Sequence, residues 1–292
     1  MIRIALYGNK RQRGDTAPLQ TLINQLASHH PQVTCSVQTD FMAFMQRSFE
    51  VPGVLTDTFD TADPEADLAL SIGGDGTFLK TAWRIGPLQT PIMGINSGHL
   101  GYMSAADITE APAIIDDILA GRYRIEHRSV IEVHAPDAML PHNQYALNEV
   151  AVLKKDTASM IRVEAHIDSW PAAAYRADGL IVSTPTGSTG YNLSVGGPIV
   201  APSARIWTIA PVAPHSLNMR PLAVCDDSII EILAESRADT YLLSIDGKSV
   251  SMPSGSTLRL SKAPHCVNIV LRPSSNFIDT LREKLLWGID GI

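Results

Sequence analysis

SIGGDGTFLK (residues 71–80) is the stretch on which the fold prediction depends. The residues that lead into it, DLALSI (67–72), form a continuous apolar run that is typical of a buried strand. The residues that follow, GTFLKTAWRIG (76–86), have apolar positions at helical spacing. Glycines between the two allow a tight turn, and the start of a helix favours an anion. The stretch therefore predicts a strand–loop–helix unit that binds phosphate.

Two better-known phosphate motifs are absent from this stretch and from the rest of the chain. The dinucleotide motif G-x-G-x-x-G would need a third glycine where Leu79 stands. The P-loop motif G-x-x-x-x-G-K-[ST] could only end at Gly247–Ser249, and there Leu242 occupies the position of the first glycine. The phosphate loop must belong to another class.

Asp75 lies inside this loop, where a carboxylate repels a bound phosphate unless it has a chemical task. It could accept a proton from an attacking hydroxyl, or it could hold a metal ion. The alternative is a structural one, in which Asp75 caps the helix that follows. The strand–GGDGT–helix context favours the chemical role.

The residues around the loop, 1–126, alternate short apolar runs with helix-like segments. This alternation predicts an α/β domain with a Rossmann-like parallel sheet and covering helices. The predicted strands are 2–7, 33–37, 67–72 and 91–95, and the predicted helices are 18–30, 76–86 and 108–121.

The next part of the chain, residues 127–273, consists of short β-rich segments separated by Pro, Asp, Gly and Ser. Short strands without intervening helices predict an all-β, sandwich-like domain. The last stretch, 274–292, is helical again and too short to fold alone. We expect it to pack back on the first domain.

A second polar constellation lies in the β-rich part. DGLIVSTPTGSTGYNLSVGGP (178–198) carries five glycines, a dense set of hydroxyls and one aromatic ring, which suits a ribose and a base. On composition alone, a tight turn explains the segment equally well. Upstream, Asn148 and Glu149 lie within a strand-like segment, so one of the two should face inward and need a partner.

Charge and cysteine content narrow the function class. The formal net charge of −7 argues against general binding to nucleic acid phosphates. The three cysteines form no C-x-x-C pair, which favours reduced thiols in a cytoplasm over a disulfide framework or a zinc site. No apolar run is long enough for a membrane helix. We expect a cytoplasmic protein that binds neither nucleic acid nor membrane.

The motifs together resemble those of the NAD kinase family. GGDGT (73–77), INSGHLGY (95–102), Asn148–Glu149, DGLIVSTPTGSTGYNLS (178–194) and IDG (245–247) occur in the family's order. GGDG alone would also fit phosphofructokinases, diacylglycerol kinases and sphingosine kinases, whereas the long 178–194 motif is specific.

The resemblance implies an activity and its partners. The γ-phosphoryl group of ATP, or a group from polyphosphate, would be transferred to the 2′-hydroxyl of the adenosine ribose of NAD, giving NADP. Mg²⁺ is the divalent metal that this chemistry favours, although the resemblance assigns it no ligands. Family members usually form homodimers or homotetramers.

The resemblance also implies roles for individual residues. Asp75 would be the general base, or the orienting group, at the 2′-hydroxyl. Tyr102 would contact the adenine at a position that is more often Phe in the family. Gly190 stands where the family often has Ala. The implied phosphate-loop residues are Gly73, Gly74, Gly76 and Thr77, and the implied NAD-binding residues are Asp75, Gly76, Tyr102, Asn148, Glu149, Asp178, Thr189, Tyr191, Ser194 and Asp246.

Two alternatives remain open from the sequence. One is a lipid or sugar kinase that shares the GGDG loop, in which case the 178–194 motif would have no role. The other is a non-catalytic nucleotide-binding regulator, which would have no need of a base at Asp75.

Overall fold

The computed structural model describes residues 1–9, 16–98, 101–104, 106–135, 140, 144–155 and 159–288. The strands are β1 Ile2–Gly8, β2 Val33–Gln38, β3 Asp57–Phe59, β4 Leu68–Ile72, β5 Ile92–Asn96, β6 Ala106–Asp107, β7 Arg124–Arg128, β8 Ile131–His134, β9 Tyr145–Ala146, β10 Glu149–Leu153, β11 Ile161–Ile167, β12 Trp170–Ala177, β13 Gly179–Ser183, β14 Ile206–Val212, β15 Leu222–Cys225, β16 Ile230–Ser236, β17 Thr240–Ile245, β18 Lys248–Pro253, β19 Thr257–Lys262 and β20 Val267–Leu271. The helices are α1 Ala17–Ser28, α2 Thr39–Ser48, α3 Asp75–Ile85, α4 Ala111–Leu119, α5 Tyr191–Ser194 and α6 Phe277–Leu285, with 3-10 turns at Gly86–Leu88, Ile108–Glu110 and Thr186–Thr189.

The chain divides into two compact units. The first contains Met1–His127 and Val267–Ile292, and the second contains Arg128–Cys266. Among the described residues, no helix combines the length and apolar character needed to cross a membrane.

The first unit is built on one sheet with the strand order β3-β2-β1-β4-β5-β20-β7, and β6 also pairs with β5. Strands β1 to β6 and β20 pair in parallel. Parallel strands are covered by helices on their faces, and α1 and α4 supply much of the buried apolar surface of this unit. The predicted α/β architecture is confirmed.

Strand β4 lies in the middle of this sheet, and its register with β5 sets Ile72 opposite Ile95. The phosphate loop begins immediately after β4, and the Gly73 N–H donates to the Ile95 carbonyl oxygen at 2.9 Å. The loop therefore lies at the carboxyl edge of two central strands, which is where open α/β sheets bind ligands.

Strand β20 lies elsewhere than the sequence analysis placed it. We assigned 267–271 to the β-rich domain because the run follows a series of short strands, but β20 pairs in parallel with β5, with Ile269 opposite Ile92. The local pattern of a short apolar strand is the same in both sheets, so only the long-range pairing reveals its place. The helical end is shorter than the predicted 274–292, since α6 spans Phe277–Leu285 and residues 289–292 lie outside the described part.

The second unit contains two six-stranded antiparallel sheets. Their strand orders are β15-β14-β13-β10-β17-β18 and β12-β11-β16-β19-β8-β9. Alternate side chains of both sheets form one buried core, which includes Val150, Leu180, Val163 and Ile232. An all-β unit with two sheets facing a common core confirms the predicted sandwich-like domain.

Candidate active site

Asp75 is the first residue of α3, after Gly74 at the N-cap. Its Oδ2 accepts a hydrogen bond from the Tyr102 N–H at 2.8 Å, and its Oδ1 accepts one from the Met103 N–H at 2.9 Å. Both oxygens are thus engaged by a neighbouring loop, whereas a helix cap would accept an N–H of α3 itself. The side chain is partly exposed, so it is oriented by the protein and still reachable by a substrate.

The loop that holds Asp75 approaches it closely enough to require glycine. A Cβ at Gly101 would lie 2.6 Å from Asp75 Oδ1. The preceding residues of the predicted INSGHLGY motif, His99 and Leu100, lie outside the described residues.

The glycines of the phosphate loop fall into two kinds. Gly73 has φ of +151°, and a Cβ there would lie 2.5 Å from Thr77 Oγ1, so this position needs glycine for conformation and for space. At Gly74 and Gly76 a Cβ would meet no described atom within 4 Å. These two glycines leave the outer side of the loop open, as close approach of a phosphate to the backbone requires.

In the second unit, Glu149 is the first residue of β10 and lies opposite Ser183 of β13, and Asn148 directly precedes it. Asn148 Oδ1 and Glu149 Oε2 are buried, and neither accepts a hydrogen bond within the described part of the chain. An unsatisfied buried polar atom costs about 1–3 kcal/mol. Two such atoms on adjacent residues mark a place where a polar ligand could supply the missing partners.

Burial, followed by the nearby charge of Asp246, raises the pKa of the Glu149 carboxyl to about 7. A hydrogen bond from the Tyr191 backbone acts in the opposite direction. The cause of the shift is that a carboxylate loses its hydration when it is buried, which disfavours the charged form. Near neutral pH, Glu149 can therefore offer either a hydroxyl donor or a charged acceptor to a ligand.

This pKa predicts a pH-dependent effect of Glu149 on stability. Below about pH 4.5 the carboxyl is protonated in both states, but between pH 4.5 and 7 the unfolded chain releases the proton first. The free energy of unfolding then falls as pH rises, by about 3 kcal/mol once the pH exceeds 7. We expect Glu149→Gln to remove this penalty, so the variant should resist urea better than the parent protein at pH 8 and equally at pH 4.5.

Glu65→Gln, at an exposed glutamate, is the matched control. In this variant the free energy of unfolding should differ between pH 4.5 and pH 8 by the same amount as in the parent protein. If the stability of Glu149→Gln differed from that of the parent by the same amount at both pH values, the raised pKa of the Glu149 carboxyl would be refuted.

Asp246 organises the backbone at this place. Its Oδ2 accepts from the Leu147 N–H at 2.8 Å, and its Oδ1 accepts from the N–H groups of Asn148 and Glu149 at 2.8 and 3.0 Å. The residue is buried and has φ of +46°, the left-handed region that Asp tolerates better than most residues. Asp246 thus positions the Asn148–Glu149 pair through the main chain.

The glycine- and hydroxyl-rich segment 178–198 packs against the backbone next to the Asn148–Glu149 pair. The Thr184 N–H donates to the Asn148 carbonyl at 2.9 Å, and the Thr184 hydroxyl donates to the Leu147 carbonyl at 2.5 Å. A Cβ at Gly187 would lie 2.1 Å from the Asn148 carbonyl oxygen. Neither Thr184 nor Gly187 was among the predicted site residues, although the repeated hydroxyls and glycines of the segment were the signal.

The three predicted pocket residues of this segment differ in exposure. Thr189 ends the 3-10 turn and is partly buried, whereas Ser194 is exposed at the end of α5. Tyr191 is 37% exposed and begins α5, beside Glu149. Asn192, the next residue, is fully buried, and its side-chain amide donates to the Ser188 and Pro198 carbonyl oxygens within the segment.

Asp178 is not brought together with these residues. It forms an ion pair with Lys154 at 2.8 Å, at the end of the β10–β13 ladder where Leu153 lies opposite Gly179. Glu149 lies at the other end of that ladder, roughly 15 Å away at the usual rise per strand residue. The resemblance lists Asp178 with the other NAD-binding residues of the same motif, but the extended strand β13 separates Asp178 from the rest of that motif.

Two family descriptions match successive parts of the chain. The ATP-NAD kinase N-terminal domain description matches residues 20–123, and the ATP-NAD kinase C-terminal domain description matches residues 147–271. The chain belongs to the NAD kinase family. The family phosphorylates NAD to NADP with ATP as the donor.

The relatives support this membership over the whole chain. An NAD kinase of Bacteroides fragilis is 40% identical, and one of Porphyromonas gingivalis is 41% identical, each over 99% of both chains. An NAD kinase from Archaeoglobus fulgidus, solved in complex with ATP, is 26% identical with a TM-score of 0.71 over 96% of this chain and 99% of its own. Yeast NADH kinase complexed with NADH shares the fold, with a TM-score of 0.88 at 24% identity over 100% of this chain and 89% of its own.

Proposed function

We propose that this member of the NAD kinase family transfers the γ-phosphoryl group of ATP to the 2′-hydroxyl of the adenosine ribose of NAD, with Asp75 as the general base. The observation that supports the role of Asp75 is the fixed orientation of a partly exposed carboxylate at the phosphate loop, held by the Tyr102 and Met103 N–H groups.

The chemistry needs such a group because a ribose hydroxyl is a poor nucleophile. As the 2′-oxygen bonds to the γ-phosphorus, its proton passes to an oxygen of Asp75. The bond between the γ-phosphorus and the bridging oxygen breaks, and ADP leaves with the electron pair. Gly73, Gly74, Gly76 and Thr77 support the phosphate side, since phosphoryl transfer depends chiefly on positioning and on neutralising charge.

The polar atoms of the second unit suit the other substrate. Asn148 Oδ1 and Glu149 Oε2 lack partners in the described part of the chain, and NAD carries amide and hydroxyl donors that would satisfy them. Tyr191 is exposed enough for a base to contact its ring, with Thr189 and Ser194 nearby in the chain. Tyr102 adds an adenine contact, and Asp246 completes the proposed NAD set by positioning Asn148 and Glu149.

Mg²⁺ fits this site as an ion that arrives with ATP. Within the described ranges there is no group of three or more His, Cys, Asp or Glu side chains that could hold a metal. In kinases, however, Mg²⁺ is held mainly by substrate phosphates, so the phosphates of ATP would bring the ion to the phosphate loop. When bound, the ion neutralises charge on the phosphate oxygens.

The proposal has three further parts: polyphosphate as an alternative donor, a homodimeric or homotetrameric state, and a cytoplasmic location. Each is supported by the family membership, and the location also by three cysteines without a disulfide among them. Light scattering of the purified protein measures the number of subunits directly.

The test of the function is an assay of the purified protein with NAD, ATP and Mg²⁺ that measures NADP by a dehydrogenase specific for that cofactor. We expect NADP to form in proportion to enzyme and to need all three components. Sugars and diacylglycerol offered in place of NAD should give no phosphorylated product.

Two results would contradict the proposal. Tight NAD binding without NADP formation would favour a non-catalytic regulator. Phosphorylation of a sugar or lipid in preference to NAD would favour the other class of GGDG kinase.

A further inference from the structure

Lys284, on the C-terminal helix α6, contacts the loop that orients Asp75. Its Nζ donates a hydrogen bond to the Gly101 carbonyl oxygen and a second, at 3.2 Å, to the Ser104 carbonyl oxygen. Between these two residues lie Tyr102 and Met103, whose N–H groups bind the two oxygens of Asp75. The Lys284 ammonium therefore binds the carbonyl groups at the two ends of this loop, and the N–H groups between them bind the Asp75 carboxylate.

The planarity of the peptide bond links these contacts. The Gly101 carbonyl and the Tyr102 N–H belong to one peptide unit, which rotates as a rigid plane. When Lys284 fixes the carbonyl, the direction of the N–H that reaches Asp75 Oδ2 is fixed as well. A charged donor on the carbonyl also polarises the same peptide group and strengthens its N–H as a donor.

Burial and charge agree with a specific role for this lysine. Lys284 is partly buried. This burial lowers the pKa of its ammonium, while the carboxylates of Asp75 and Glu283 act to raise it. A lysine that serves only solubility would keep its ammonium in water. Here the ammonium gives up hydration to bind two carbonyls next to the proposed base.

We propose that Lys284 is a positioning residue for the phosphoryl transfer: by fixing the Gly101–Ser104 loop it holds the Asp75 carboxylate in the orientation that accepts the ribose proton. The inference rests on the proposed role of Asp75 as the base. It assigns to the C-terminal helix a part in catalysis that does not require contact with either substrate.

The test compares Lys284→Met with Lys284→Arg and with Arg282→Met. Lys284→Met removes the ammonium but keeps the apolar stem, and we expect kcat to fall on the order of 10- to 100-fold, because misplacing a catalytic group by about 1 Å can cost that much. KM for NAD and for ATP should change less than about twofold, since no substrate contact is lost. Lys284→Arg should recover most of kcat, because it can still donate to both carbonyls.

Arg282→Met, two residues away on the exposed side of α6, removes the same charge and should leave kcat unchanged. The decisive comparison is the double variant with Asp75→Asn. If Lys284 acts through Asp75, adding Lys284→Met to Asp75→Asn should lower kcat by less than about twofold further, whereas independent effects would multiply.

Three outcomes would overturn the inference. An unchanged kcat in Lys284→Met would show that the loop holds Asp75 without the ammonium. A rise confined to KM for ATP would make Lys284 a phosphate ligand, and a full additional loss in the Asp75→Asn background would show that it acts separately. A wild-type protein that forms no NADP would instead refute the proposed function itself. Circular dichroism and the thermal unfolding midpoint of Lys284→Met show whether the variant is folded, so that a loss of activity can be distinguished from misfolding.

Discussion

Asp75→Asn is expected to lower kcat for NADP formation by roughly 10²–10⁴-fold, the usual contribution of a general base. The asparagine amide has nearly the same shape as the carboxylate, but it cannot take the ribose proton. Its NH₂ group would also face one of the two N–H donors that now bind the carboxylate, so the orientation of the side chain is weakened as well. Steady-state kinetics with NAD and ATP varied in turn measure the effect.

The binding of NAD should survive the change. We expect the dissociation constant for NAD to change less than tenfold, because a base that acts in the transition state adds little to ground-state binding. Asp116→Asn, at an exposed aspartate on α4, is the matched control and should retain full activity. Near-normal turnover in Asp75→Asn would reduce Asp75 to a structural residue that anchors the Gly101–Ser104 loop.

The strand–GGDGT–helix unit could be predicted from sequence because its determinants are local. A buried apolar run, a glycine that needs positive φ and a helical repeat follow one another within 67–86, and the structure forms β4, the loop and α3 there. Asn148 and Glu149 were also predictable as a polar pair, because a strand must turn one of two neighbours inward.

Other features were hidden from sequence because they depend on residues far apart in the chain. Lys284 and Gly101 are 183 positions apart, and no periodicity links a helix end to a distant loop. Strand β20 has the same apolar pattern as the strands of the second unit, yet it pairs with β5. Asp178 shares a continuous motif with Tyr191, but strand β13 carries it to the opposite end of the β10 ladder from Glu149. The positioning role of Asp246 could not be predicted either, because nothing in the sequence indicates that its carboxylate accepts hydrogen bonds from the N–H groups of residues 147–149.

Asp246→Asn is the second substitution for which we expect a large effect. Asparagine tolerates the left-handed conformation at this position, with φ of +46°, so the change does not add backbone strain. Its single oxygen can still accept from two of the three N–H groups, but its NH₂ must face the third, and a buried donor then opposes a donor. The lost charge-assisted hydrogen bond and the unsatisfied donor together should lower the free energy of unfolding by about 3 kcal/mol.

The same change should weaken NAD binding, because the backbone of Asn148 and Glu149 loses the group that fixes it. We expect KM for NAD to rise on the order of tenfold or more, with KM for ATP nearly unchanged. Removal of the Asp246 charge also lowers the pKa of the Glu149 carboxyl toward its ordinary value, since that charge is one cause of the increase. Urea unfolding, kinetics in NAD and an NMR titration of the Glu149 carboxyl measure the three effects.

Asp168→Asn is a close control for Asp246→Asn. Asp168 also has a left-handed backbone, with φ of +50°, but it is exposed and its Oδ1 accepts one main-chain hydrogen bond, from the Ile229 N–H at 2.8 Å. An asparagine there keeps that single acceptor, so stability should fall by less than about 1 kcal/mol and KM for NAD should not change. If Asp246→Asn behaved like this control, the three N–H groups at residues 147–149 would be held by the strand pairing of β10 alone, and the role assigned to the Asp246 carboxylate would be wrong.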